Sequence, residues 1–452
     1  MRPFFSFIYK HLRLFEQLLN SLTVSLLLLA VLYGWMNLSF SFIFEKEVAK
    51  LTAKITHIFL SEKKQPYSLS EKNQPYTFSE KNQPYTLKDA MYIDVAQSLT
   101  LVQDKFGPHV IPDRAKLDTL FQLLYNYTDT GKIIICDLYF DVRSDQDSAL
   151  ELSMSRFPHL LSTVKTNSLQ EIAPNVIRAG KSATSGFHSQ REPFLIFSNA
   201  LFKFNLTDKN CIQTLPLLIY QQVNHHGIFC LGNTLHIGNE WYLNTVLINE
   251  RLGLNVTKAE YEDQVIPIAQ VINDLKGKTG SYRHALGRKK FILIGNFQED
   301  LHKTIFGERP GPMIIFDLYI SLEQKHNMIS TAWLLSAVLF LSILIFNDLY
   351  PIAILKHYVN WLSKKSRLLG LKRVPDFDWL IFYLFVIASD IFFKVHLEAV
   401  ADIVFLYLST WAWKYFRTRY NKLLQLHRMG KRVGARTVFY YLFKKMASEG
   451  KV

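Results

Sequence analysis

Phe291-Ile-Leu-Ile294, stopped by Gly295 and followed by the polar turn Asn296 to Asp300, reads as a short buried strand. Earlier runs repeat the pattern. Met91-Tyr-Ile-Asp-Val95 is one, Gly131 to Asp141 with Ile133-Ile-Ile-Cys136 at its centre is a second, and Ser162 to Lys165 is a third, shorter strand. Between them, Pro112-Asp-Arg114 opens a helix in which Leu117, Leu120, Phe121, Leu124 and Tyr125 recur at helical spacing, and Ala149 to Arg156 is helical. Strands alternating with helices imply an α/β fold with a mixed, partly parallel sheet and right-handed crossovers. Glu260 to Leu275 reads as a helix, and Met313 to Gln324 as a helix leading straight into the apolar segment that begins at 329. Phe187 to Glu240 and Trp241 to Leu254 break into short pieces without a clear period, and Pro216 argues against a central strand at Leu215 to Tyr220.

Apolar segments frame this domain. Residues 18–44 are uncharged, and 329–346, 379–393 and 399–416 are strongly apolar. Each is read as a transmembrane α-helix, since about 20 residues cross a hydrocarbon core about 30 Å thick. No small-residue cleavage site follows the first, so it reads as an uncleaved anchor. The flanks set an orientation. Residues 1–17 carry +2, the loop 347–378 carries +3 and the tail 417–452 carries +9, which together equal the net +14 of the whole chain. By the excess of Lys and Arg in cytoplasmic loops, these three lie inside, and the domain at 88–325 lies outside. The expectation is four transmembrane helices, with the last two as a hairpin over 379–416, in a bacterial inner membrane with the large domain in the periplasm. The basic charge then belongs to membrane edges facing anionic lipid, which removes the case for nucleic-acid binding.

Residues 45–87 form a spacer containing a nine-residue repeat that begins at Ser61, Ser70 and Ser79, each copy bearing Gln-Pro-Tyr. Its composition suits a solvated, extended tether; a short binding repeat displaying the Pro-Tyr pairs is the alternative. Cys136 lies in an apolar strand and reads as inert core, while Cys211 and Cys230 could pair with each other. Asp390, Lys394, Glu398 and Asp402 follow one another at a spacing of four and are read as an interfacial turn, with a proton path as the alternative.

No catalytic constellation stands out. Gly180-Lys-Ser182 lacks the glycine that a phosphate loop needs five residues earlier, where Asn175 stands. His225, His226 and His236 have no acid or cysteine partner at ligand spacing, so they are assigned structural roles and no metal or other cofactor is expected. What recurs is acid near strand ends and helix starts. Asp94, Asp113, Asp137, Asp147 and Asp300, with His302, are the candidate ligand-binding residues, because parallel strands bring their following loops to one rim. The competing reading for each Asp alone is a helix cap or turn.

Three of these segments together resemble the type-two CHASE domain, an extracytoplasmic sensory domain of bacterial signalling proteins. Met91 to Val95 with Pro112-Asp-Arg114 is similar to its first strand and helix start, and Ile133 to Phe140 with Asp145 and Asp147 to its second strand and acidic turn. Phe291 to Gly295, then Asp300, His302, Thr304, Gly307 and Pro310-Gly311, is similar to its closing segment. The resemblance covers residues 88–325 and departs most over 165–260. It implies a sensor or receptor, not an enzyme, for a small ligand or extracytoplasmic partner. Members usually carry an effector after the last span, so signal transfer through the basic tail to a separate effector protein is expected. A structural or docking subunit of a membrane complex is the rival.

Overall fold

The computed structural model describes residues 89–349, except 105–106, 130, 167–171, 174, 187–202, 208–210, 233, 248–264, 278–280 and 305–306, and isolated positions within 15–26 and 385–395. Five strands form the parallel core of the main sheet: β1 (Ala90–Asp94), β4 (Ile133–Asp137), β5 (Leu160–Thr166), β13 (Val265–Pro267) and β14 (Phe291–Gly295). Their order is β13-β1-β14-β4-β5, and β7 (Lys181–Thr184) joins β5 in parallel while β6 (Ile172–Ala173) joins it antiparallel. The chain's last strand of this sheet, β14, therefore sits at its centre, between β1 and β4.

That position explains its composition. A central parallel strand is covered on both faces, so every residue must be apolar or lack a side chain. Phe291 and Leu293 point into one core and Ile292 and Ile294 into the other, all fully buried. On one face, Leu117, Leu120, Phe121 and Leu124 of α1 (Arg114–Tyr127) pack with Leu150 and Met154 of α2 (Asp147–Met154). Val271 and Leu275 of α4 (Ile268–Lys276), and Leu286 of α5 (Ser281–Arg288), complete that layer. On the other face lie α3 (Leu215–Asn224) and α6 (Gly311–Glu323). α6 is buried from Gly311 to Leu322, the state expected of a helix apolar on every side. A meander of β9 (Ile228–Leu231), β10 (Thr234–Ile237) and β11 (Glu240–Leu243) adds Leu235, Ile237 and Tyr242 to this core, and the pair β8 (Lys203–Asn205) and β12 (Thr245–Leu247) adds Phe204 and Val246.

Several expectations change. Residues 215–220 are not a central strand, as Pro216 argued, but the start of α3, where Pro216 sits in the first turn and needs no helical N–H partner. His225 ends that helix in a left-handed conformation (φ 55°). Val265 to Pro267 is strand, not helix. Pro267 holds the preceding residue extended and starts α4 one residue later. α6 does not run straight on: it ends at Glu323, and Lys325 (φ 58°) and Asn327 (φ 59°) turn the chain. Cys211 and Cys230 form a disulfide, with Cα atoms 6.1 Å apart. Cys136 is buried, and burial pushes its thiol up to about 12, which keeps it inert as expected.

The membrane topology is overturned. Among the described residues, no helix is long and apolar enough to cross a membrane. The segment read as the second span lies in α7 (Thr331–Leu349), which belongs to a unit separate from the α/β domain. Its uncharged stretch ends at Phe346, before Asn347 and Asp348, and at 1.5 Å per residue rises about 24 Å, short of the roughly 30 Å core. Ser342, midway along, is instead a polar joint: its carbonyl accepts from the Ser21 hydroxyl at 2.6 Å, and its own hydroxyl donates to Ser25 Oγ at 3.0 Å. The four-helix transmembrane assignment, and the inner-membrane, periplasmic placement built on it, are corrected accordingly. Most of 18–44 and 379–416 lies outside the described residues. So do the repeat spacer, the loop 350–378 and the tail 417–452.

Candidate functional site: the carboxyl rim of the parallel sheet

The register of the sheet puts Asp94, Gly295 and Asp137 side by side at the carboxyl ends of β1, β14 and β4. Parallel strands present such ends, with their loops, to one rim, the usual ligand position in open α/β sheets. Two hairpins follow the central strands at this edge. β2 (Leu99–Asp104) pairs with β3 (Gly107–Pro112) after β1, and β15 (Leu301–Thr304) pairs with β16 (Gly307–Pro310) after β14.

The candidate acids divide into two groups. Asp94 is 2% exposed, and its Oδ1 accepts from the backbone N–H of Ala96 at 3.1 Å and of Phe297 at 2.9 Å, stitching the turn after β14 to β1. Asp113 caps α1, its Oδ1 accepting from the N–H groups of Ala115 and Lys116 at 3.1 Å each. Asp147 accepts from the Ser144 N–H at 2.8 Å and stands 3.6 Å from the buried Arg114 guanidinium, which covers the Phe140 ring and donates to the Val142 carbonyl. These three carboxylates are engaged in holding loops.

Asp137, Asp300 and His302 come together instead. Thr163 on β5 donates its hydroxyl to Asp137 Oδ1 at 2.8 Å, while Asp137 Oδ2 is buried with no hydrogen-bond partner. Burial, followed by the nearby Asp300 carboxylate, pushes Asp137 up to about 7, against the opposing pull of Thr163 and His302. Asp300 Oδ1 lies 3.1 Å from His302 Nε2, and the Asp300 carbonyl accepts from the Gly311 N–H at 2.8 Å. Tyr139, two residues beyond Asp137, shares a 2.7 Å hydrogen bond with Ser185, and burial pushes its phenol up to about 12.

Two glycines make the assembly possible. A Cβ on Gly311 would sit 2.2 Å from Asp300 Oδ2, and one on Gly295 would sit 2.5 Å from Pro312 Cγ. At Gly295 the added atom would meet the stiff Pro312 ring, so glycine there lets α6 close onto the rim, whereas at Gly311 it would displace the Asp300 side chain.

Tyr139, Thr163 and Ser185 were not singled out in the sequence. The available signal for Thr163 was register: Cys136 pairs with Ser162, so Thr163 falls beside Asp137. Ser185 follows β7 after a run outside any clear period, and nothing local marks it. Among the described residues no group of three or more His, Cys, Asp and Glu side chains is placed to hold a metal ion.

The fold and the rim define an α/β domain with an acid-lined edge around the buried Asp137 Oδ2. Comparison with protein-family models, with curated proteins and with solved structures finds no match.

Proposed function

We propose that this chain is a sensor or receptor whose α/β domain takes a small ligand at the Asp137, Asp300 and His302 rim and passes the change to a separate effector protein. The observation that carries this reading is Asp137 Oδ2, a buried acceptor without a partner beside a second carboxylate. Unsatisfied buried polar atoms cost about 1–3 kcal/mol, so a ligand that satisfied Oδ2 would recover part of that cost. α6 supplies the route onward: its amino end meets Asp300 through Gly311, and its carboxyl end is tied by Glu323 to Asn224 at 2.7 Å. The motif likeness to the type-two CHASE domain falls on the same segments and suggests the same role.

The test is a melting-temperature screen of small charged and neutral metabolites against the full chain. Stabilising compounds should lose their effect in Asp137→Asn and Asp300→Asn and keep it in Asp141→Asn, whose carboxylate pairs with Lys165. Stabilisation that survives both rim variants would overturn the assignment.

A docking role is the second reading, favoured by one surface. Phe229, His236 and Trp241 form a cross-strand row on the β9–β11 meander, with Phe229 60% and Trp241 39% exposed. If docking is the function, a stoichiometric partner should co-purify without added ligand and be lost in Phe229→Asp.

A further inference from the structure

The rim holds features that narrow the chemistry of what it takes, and the inference drawn from them rests on the receptor reading above. We infer that its ligand is an organic cation that donates N–H groups, an ammonium or a guanidinium.

Three observations carry this. Ionised, Asp137 offers one free acceptor at the rim: its Oδ1 already accepts from Thr163, its Oδ2 is buried and unpartnered, and a ligand that binds this form at Oδ2 has to donate. The charge facing it is negative. From β4 come Asp137 and, beyond it, Tyr139; from the turn after β14 comes Asp300; from β15 comes His302, its ring against the Asp300 carboxylate; from β5 come Thr163 and Lys165. Lys165 pairs with Asp141 at 3.2 Å, so an anion entering between Asp300 and the ionised Asp137 would meet like charge on both sides. The third observation concerns shape. A bare divalent ion needs several oxygen or nitrogen ligands in a fixed shell, and among the described residues no metal-holding group is present, whereas an N–H cation is satisfied by two carboxylates. The Tyr139 ring already has an ammonium near it, Lys165 Nζ at 5.9 Å from its centroid.

Binding of such a cation is linked to a proton. Burial and the Asp300 carboxylate push Asp137 up to about 7, and a donor arriving at Oδ2 requires the ionised carboxylate. The cation must therefore displace that proton, and its affinity must rise with pH.

The experiment is an NMR or calorimetric titration of the full chain with methylammonium and with methylguanidinium at pH 6 and pH 8, using tetramethylammonium and acetate as controls. Expected is binding of one or both N–H cations, about tenfold tighter at pH 8 than at pH 6 with release of a proton. Expected too is no binding of tetramethylammonium, which has the charge without the donors, and loss of binding in Asp137→Asn and Asp300→Asn with unchanged circular dichroism. Equal binding of tetramethylammonium, affinity independent of pH, binding retained in Asp137→Asn, or no binding of either N–H cation would each overturn the inference. The two readings fail separately. If the metabolite screen yields acids or neutral compounds that Asp137→Asn abolishes, the receptor assignment stands and the cationic class falls; if no compound depends on Asp137, both fall.

Discussion

At the residue scale, Asp137 sets a stability that depends on pH in an unusual direction for a carboxylate. Its pKa is raised in the folded state, from 3.8 to about 7, so the folded chain holds a proton that the unfolded chain has released. The stability this group contributes is fully present below pH 3.8 and is lost progressively as pH rises to about 7. Asn at this position mimics the protonated acid. Asp137→Asn should therefore melt like the parent near pH 4 and be more stable at pH 8, by about 1–3 kcal/mol once relaxation reduces the full linkage. Melting curves across that interval decide it, and a variant less stable than the parent at pH 8 would show that the carboxylate is paired. Gly311 sits at the same rim and gives an opposite sign. A methyl group there would meet the Asp300 carboxylate and the His302 ring, so the half-exposed Asp300 side chain has to swing aside to make room. Gly311→Ala should cost about 1–3 kcal/mol in denaturant unfolding and should shift the His302 ring resonances, since the acid must move for the helix to stay. A neutral effect on both would mean that the amino end of α6 adapts, and that the rim is less constrained than its packing indicates.

At the element scale, the strands were the legible part. Phe291 to Gly295, Ile133 to Asp137 and Met91 to Asp94 show runs too apolar for a half-solvated sheet, and all three are central strands. Legibility failed where a partner distant in sequence decides the element. Val265 to Pro267 is strand because β1 lies beside it, a pairing no local pattern could show. Residues 215–220 are helix because their apolar side chains have α6 and the sheet to pack against. For the site, residue type found the acids but not their division: Asp94, Asp113 and Asp147 take backbone N–H partners and, for Asp147, the Arg114 guanidinium, whereas Asp137 has the Thr163 hydroxyl and the Asp300 carboxylate nearby, and three-dimensional proximity alone supplies these. The apolar segments misled for another reason. Hydropathy counts residues, whereas the uncharged part of α7 is too short a helix. The cysteines gave only a possibility until the fold placed them. Cys211–Cys230 closes a loop with a separation of 19 residues between the start of α3 and the exposed strand β9. Loops of that size are worth about 3 kcal/mol, so Cys211→Ser with Cys230→Ser should lower the guanidinium midpoint correspondingly, and reductant should do the same to the parent. An unchanged midpoint under both treatments would show that α3 and the meander hold their geometry by packing alone.

At the scale of the whole molecule, the question is which part of the chain contains everything its fold requires. Both hydrophobic cores lie within residues 90–328: one runs from Ala90 to Leu322 with Met328 against it, and the other from Met91 to Ile294. The disulfide lies inside the same span, as do all the pairings of the main sheet and both rim hairpins. The turn after α6 is closed internally as well: Met328 bridges Tyr242, the Ile329 N–H donates to the Trp241 carbonyl at 2.7 Å, and Asn327 Nδ2 donates to the Thr245 carbonyl at 2.6 Å. A fragment of residues 88–330, about 240 long, is within the size of a single domain and should fold without the remainder. It should also unfold in one step. β14 gives Phe291 and Leu293 to one core and Ile292 and Ile294 to the other, so neither layer can open without stripping the strand that the second layer packs on. Far-ultraviolet dichroism reports the helices on both faces. The near-ultraviolet signal is weighted toward the α6 side, where Tyr92, Phe291, Phe316 and Tyr319 cluster. Coincident denaturant curves from the two probes are the expected result; separated transitions would show that the layers fold independently, and an unfolded fragment that residues outside 88–330 complete the domain. In the fragment, a cation-dependent rise in midpoint that Asp137→Asn removes would place the receptor function wholly within the α/β domain.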